Sequence, residues 1–161
     1  MSTLLIVQFT PTPALAAIGD AVIAGAHDEA LQGVGVRVLS PLDATPEDVL
    51  SADALVLGTA AHFGYMSGAL KYFFDRVFVH VGGALDAHGG GAPSAGEKLP
   101  YGLWVHGRYD TTGAIRSVES ITQALPWKPA AAPLTLMGDH DESHTEQAYE
   151  LGATIAALIS E

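Results

Sequence analysis

The chain has 161 residues, 48% of them apolar, which suits one packed domain with a full core and leaves no room for a second. Seven basic against 18 acidic side chains give a formal charge of −11, which argues against a nucleic-acid surface and against adsorption on anionic membranes. There is no cysteine, so disulfides, thiolate metal sites and thiol catalysis are excluded.

Strand and helix patterns alternate along the chain. Leu4 to Phe9 is a short apolar run and predicts a buried first strand. The opening residues are apolar enough to suggest an export signal, but they lack a positive start and are broken by Thr10-Pro11-Thr12-Pro13. A core strand in a cytoplasmic protein is therefore expected. Pro13 to Ala30 reads as a helix with Pro in its first turn. Val34 to Leu39 alternates around Arg37, as a strand near a sheet edge does. Thr45-Pro46-Glu47-Asp48 supplies an N-cap, a Pro at the first helical position and two first-turn acids, so a short helix begins there.

Ala54 to Leu57 is the third strand, followed by an expected turn at Gly58-Thr59. Ser67 to His80 is a helix whose stripe runs through Leu70, Phe73, Phe74, Val77, Phe78 and Val81, a spacing no strand produces. Tyr72 and Val79 fall off that stripe and predict a homodimer or larger assembly, or else a monomer in which the Gly82–Lys98 loop covers the helix. Gly82 to Lys98 is rich in Gly, Ala and Ser and reads as a loop, either a spacer or a lid. Tyr101 to Val105 gives a fourth strand, Thr112 to Leu125 a helix, Leu134 to Met137 a fifth strand, and Ser143 to Ser160 the last helix. No run is long enough to span a bilayer.

This alternation predicts one α/β domain over residues 1–161, with a parallel sheet covered on both faces by helices. Five strands in the order 2-1-3-4-5 would place a ligand crevice at the C-terminal ends of strands one, three and four. Three loops meet that crevice. In the first, the helix starting at Pro13 offers backbone N–H groups and positive dipole to a phosphate, with Thr10 and Thr12 adding hydroxyls. Pro13 removes one donor, and the alternative is that the threonines merely cap the helix. The second loop carries His62, Phe63, Gly64 and Tyr65. In the third, Gly107 permits close backbone approach, Asp110 or a threonine caps a helix, and Arg108 is a rare cation. Gly138 to His144 holds metal-ligand residue types, but its acids are ordinary helix-dipole partners and no metal site is expected.

The segment from Leu55 to Phe78 resembles the second flavin loop of flavodoxin-like NAD(P)H:quinone oxidoreductases and FMN reductases, the family that includes the tryptophan-repressor-binding-protein-like quinone reductases. Gly58, Thr59, Phe63, Gly64, Met66, Ser67 and Gly68 stand in register with that loop, and Phe74-Asp75 with the following helix. The chain departs from it at Ala60, Ala61, His62 and Tyr65. It also departs at Pro13 and Leu15 in the first loop, and in having no Trp after Gly82-Gly83-Ala84-Leu85.

The resemblance implies a flavodoxin-like three-layer α/β/α sandwich that binds FMN. The phosphate would lie at Thr10, Thr12, Pro13, Ala14 and Leu15. The ring would lie between Thr59, Ala60, Ala61, His62, Phe63, Gly64 and Tyr65 on one side and His106, Gly107, Arg108, Tyr109 and Asp110 on the other. It implies NAD(P)H as co-substrate and a small quinone-like acceptor. His62, where the family often has Arg, would tune the flavin or else is a solvated loop histidine, and Arg108 would meet a nucleotide phosphate or else form an ordinary surface ion pair. A flavodoxin-type electron carrier and a flavodoxin-like interaction domain without flavin are the alternatives. The visible spectrum with and without FMN separates the last of these from the others.

Overall fold

The computed structural model describes residues 1–81, 99–125 and 127–161. In chain order the elements are β1 (Ser2–Gln8), α1 (Pro13–Ala26), β2 (Val34–Leu39), α2 (Pro46–Leu50), β3 (Ala54–His62), β4 (Tyr65–Met66), α3 (Gly68–Val81), β5 (Pro100–Gly107), α4 (Thr112–Ala124), β6 (Lys128–Pro129), β7 (Leu134–Met137) and α5 (Glu142–Ala157). The main sheet runs β2-β1-β3-β5, all parallel, and both β6 and β7 pair parallel with β5 beyond it. This is the expected five-position order, with the fifth strand split in two. Pro129 and Pro133 flank the split, and neither has an N–H to donate to a ladder.

Alternating strand residues face opposite layers, which makes the molecule a three-layer sandwich. Leu4, Ile6, Val56 and Trp104 pack under Ile18 and Val22 of α1 and Leu151 and Ile155 of α5. Leu5, Val7, Leu55, Leu57 and Leu103 pack against Val49 of α2, Phe73 and Val77 of α3 and Val118 of α4. Each such buried side chain contributes about 1.5–3 kcal/mol relative to exposure. No helix among the described residues is long and apolar enough to cross a membrane.

Several boundaries differ from those the sequence predicts. Helix α1 stops at Ala26 because the Asp28 carboxylate accepts the Ala30 N–H at 2.9 Å and turns the chain away. Gly58 and Thr59 are not a turn: β3 continues through them to His62, paired with β5 as far as Ala60–His106. The residues look loop-like because they are small, and they are small for a packing reason. A Cβ on Gly58 would overlap the Trp104 indole, which lies across it and donates to Gln8 Oε1 at 3.3 Å. Phe78, placed on the core stripe, is 37% exposed. The segment Gly82 to Lys98, including Gly82 to Leu85, lies outside the described residues.

Helix α2 has the capping box its sequence announces. Thr45 Oγ1 accepts the Asp48 N–H at 3.3 Å, and Asp48 Oδ2 accepts the Thr45 N–H at 2.9 Å. Asp48 also pairs with Arg37 at 2.6 Å, which ties α2 to the edge strand β2. Desolvation pushes the Asp48 carboxyl upward, but hydrogen bonds from Thr45 and the Arg37 charge outweigh it, and the net shift is downward. A depressed folded-state pKa stabilises the fold above the unfolded carboxylate range, and this contribution is lost as pH falls through the folded value. Asp48→Ala is expected to cost about 1 kcal/mol at neutral pH. The difference between variant and wild type should shrink in urea melts at acid pH; a constant difference would remove the charge from this account.

Candidate functional site

The C-terminal ends of β1, β3 and β5 open into a cavity of about 710 Å³, within the usual range for small-molecule sites. The chain following β1 lines it with Thr12, Pro13, Ala14 and Leu15. The end of β3 and its hairpin add Ala60, Ala61, Phe63 and Gly64. The end of β5 and its loop add His106, Gly107, Arg108, Tyr109 and Asp110. Three segments far apart in sequence thus meet at one sheet edge. The remaining predicted residues stand outside this lining. Thr59 is fully buried and structural: its Oγ1 donates to the Ala60 carbonyl at 2.8 Å and accepts the Ser67 N–H at 2.9 Å. Thr10 sits beside Gly19. His62 is exposed, its ring edge-on to Phe9 with centroids 6.3 Å apart, and Tyr65 pairs with His62 across the hairpin.

The second loop is much tighter than its composition suggests. Strands β3 and β4 are joined by Phe63-Gly64 alone, with φ of 54° and 75°. Positive φ at both central residues matches a type I′ hairpin turn. Glycine takes this conformation freely, whereas for a bulky residue it is a genuine outlier. Phe63 is the only non-glycine with positive φ among the described residues, and its side chain is entirely exposed. Packing within the chain gains nothing from a strained backbone that holds a phenyl ring in water. A flat ligand in the cavity would give that ring a surface to cover. Tyr109, 93% exposed, lines the same cavity from the loop after β5.

The base of the hairpin is tied to α4, and its tip rests against that helix. Ser117 Oγ accepts the Met66 N–H at 3.3 Å while donating to the Ala114 carbonyl at 2.8 Å. A Cβ on Gly113 would overlap the Gly64 carbonyl, so backbone rests on backbone there. Sequence reading misses this contact, and a glycine in the first turn of a helix is its only sequence trace. Ser67 Oγ accepts the Leu70 N–H at 3.2 Å and starts α3 directly after the hairpin.

On the first wall, Thr12 caps α1: its Oγ1 accepts the Leu15 N–H at 3.3 Å and its carbonyl the Ala16 N–H at 2.8 Å. Pro13 has no N–H. The helix end keeps its dipole but has fewer free donors than usual, and its first turn carries no acid to repel an anion. On the third wall, His106 Nε2 lies 2.6 Å from the Gly138 carbonyl, while Asp110 Oδ1 accepts the Thr112 N–H at 2.9 Å. That backbone donor holds the Asp110 carboxyl below the usual range. Arg108 Nη1 is 2.7 Å from Asp139 Oδ1, with both side chains mostly exposed. No group of three or more His, Asp or Glu side chains is arranged to hold a metal among the described residues.

A flavin mononucleotide suits these donors. The acid-free helix end is compatible with a phosphate, and the exposed Phe63 and Tyr109 with a flat ring.

The family model described as NADPH-dependent FMN reductase matches residues 23–103. The match includes the β3 hairpin and leaves out the α1 entry and the Arg108 loop. A flavodoxin from Aquifex aeolicus (strain VF5) is 35% identical over 86 residues, 53% of this chain, and the match spans about half (45%) of that relative's length. Among solved structures, a flavodoxin from the domain Archaea superposes with a TM-score of 0.76 at 14% identity, over 98% of both chains. A Streptococcus pneumonia TIGR4 flavodoxin gives 0.73 at 17% identity, over 98% of this chain and 99% of that one. A flavodoxin, WrbA-like protein from Agrobacterium tumefaciens gives 0.67 at 13% identity, over 98% and 96%. At such identities the likeness establishes the flavodoxin-like fold.

Proposed function

The chain belongs to the NADPH-dependent FMN reductase family, and we propose that it binds FMN in this cavity and uses NAD(P)H to reduce a quinone or similar flat acceptor. The observation that carries the reading is the strained, solvent-exposed Phe63 on a two-residue turn, which shares with Tyr109 the lining of a cavity walled by three loops. When bound, FMN supplies two-electron chemistry between nicotinamide and acceptor. In this reading Thr12 fixes the start of α1, whose end receives the phosphate. The hairpin sets the plane of the ring, and the side chains of Phe63 and Tyr109 exclude water from its faces. Arg108 meets a phosphate of the nucleotide, and His62, beyond the cavity lining, acts from the rim. The exposed Tyr72, Phe78 and Val79 of α3 are covered by a second copy.

Titrating the protein with FMN is expected to quench flavin fluorescence at micromolar concentration, on the order of −8 kcal/mol. The loaded protein is expected to oxidise NADH or NADPH when a quinone is present, and light scattering to give twice the chain's 16.7 kDa. No quenching up to roughly millimolar FMN would sink the flavin reading. The mass of a single chain at every concentration would remove the second copy. A second reading, an electron carrier that docks on a basic partner, is favoured by the charge of −11. It becomes the better answer if FMN binds but neither nucleotide is oxidised.

A further inference from the structure

The charges on the third wall bear on which nicotinamide donor the cavity accepts, an inference that rests on the reading above. Among the described residues lining the cavity, Arg108 is the only Lys or Arg. Its guanidinium is already engaged by Asp139, 2.7 Å away on the loop that follows β7. Asp110 is a carboxylate in the lining itself, held below its usual pKa by the Thr112 N–H that donates to it, while Asp139 stands just outside the lining. The one lining cation therefore has a carboxylate beside it in the lining and another as its ion-pair partner from the next loop, in a chain of net charge −11.

NADPH differs from NADH by a 2′-phosphate carrying roughly −1.5 to −2 charges at neutral pH. To receive it, Arg108 would have to leave Asp139, and the released carboxylate would then stand beside the incoming phosphate. The positive end of α1 offers no alternative, since in the reading above it holds the FMN phosphate. The pyrophosphate is common to both nucleotides and affects them alike; at the 2′ position NADH adds no charge, and its adenosine 2′-hydroxyl can donate a hydrogen bond to a carboxylate. We propose that Asp139 is a specificity-determining residue that makes this chain take NADH in preference to NADPH. The matching family is described by its use of NADPH, so this preference departs from that description.

Because Arg108 and Asp139 are largely exposed, with side-chain accessibilities of 62% and 87%, water and salt weaken each pairwise effect. The expected preference for NADH is about tenfold at low salt, falling as salt rises.

The test uses FMN-loaded wild type, Asp139→Asn, and Asp20→Asn as a control that removes the same charge from the exposed side of α1. Steady-state kcat/KM is measured with NADH and NADPH, and calorimetric Kd with NAD⁺ and NADP⁺. Wild type should favour the unphosphorylated nucleotide about tenfold in both readouts. Asp139→Asn should bring the two nearly level through a gain for the phosphorylated nucleotide in KM and Kd, with kcat little changed. Asp20→Asn should leave the ratio where it was. A wild type that favours NADPH, or a ratio unmoved in Asp139→Asn, overturns the assignment while the reductase reading stands. If neither nucleotide binds or is oxidised, the reductase reading and this assignment fall together.

Discussion

Gly152→Val is expected to destabilise the protein by about 3 kcal/mol, lowering its melting temperature by roughly 6–12 °C. Helices α1 and α5 cross on one face of the sheet with their backbones in contact. A Cβ on Gly152 would overlap the Val22 carbonyl, and one on Gly25 would overlap the Tyr149 carbonyl, so the crossing is reciprocal. The obstacle in each case is backbone, which cannot rotate aside as a side chain can. Relief means moving apart two helices whose facing residues, Ile18, Val22, Leu151 and Ile155, are buried. In an open helix, replacing Gly with Ala gains about 1 kcal/mol, so Gly152→Ala should lose less than Gly152→Val but still lose. Gly68, with open space around its Cα, serves as the control. Thermal melts decide the point: Gly152→Val melting within roughly 2 °C of wild type would mean that the helices separate without loss.

The order of the elements was legible because the chain states it repeatedly. The stripe of α3, the Thr45 to Asp48 capping box and the apolar runs of β1 and β3 each report on their immediate neighbours, and each, apart from the exposed Phe78, is where the sequence places it. The failures in the sheet share one cause. Gly58, Thr59, Ala60 and Ala61 have turn-like composition, yet they are strand because Trp104, more than forty residues away, needs room over Gly58. Long-range packing overrides local propensity there. The split of the fifth strand shows the same limit: Lys128–Pro129 is too short to have a pattern of its own and exists only because β5 offers it an edge.

Much of the candidate site was legible for a different reason. In a parallel sheet the strand ends that form a crevice follow from strand order alone, so the segments starting at Thr12, Ala60 and His106 could be brought together before any distance was known. Side-chain roles were not legible. Thr59 has the hydroxyl expected of a ligand contact, but that hydroxyl is consumed in joining β3 to the start of α3. Arg108 has the charge expected of a phosphate contact, but its partner Asp139 comes from another loop, and no local rule links the two. The exposure of Phe63 follows from a turn of two residues, which becomes evident only once β3 is known to reach His62.

Gly113→Ala separates the requirements of the site from those of the fold. Residue 113 lies in the first turn of α4, where alanine should strengthen the helix by about 1 kcal/mol. The new methyl group, however, would overlap the carbonyl of Gly64 at the tip of the β3–β4 hairpin. Something must shift, and the two sides differ in how easily they can. Helix α4 is anchored by the fully buried Ala114 and Val118, whereas the hairpin tip is two exposed residues on a short strand pair. The tip should therefore yield, carrying Phe63 and the adjoining cavity wall with it. Expected results are a melting temperature within roughly 3 °C of wild type and FMN binding weakened on the order of ten- to a hundredfold, or about 1.4–2.8 kcal/mol. Fluorescence titration and thermal melts on the same preparation measure both. If binding is unchanged while stability falls steeply, the contact belongs to the fold and the hairpin does not set the plane of the ring. If both are unchanged, the hairpin tip is free to move, and the strained turn at Phe63 then needs an explanation other than a bound flavin.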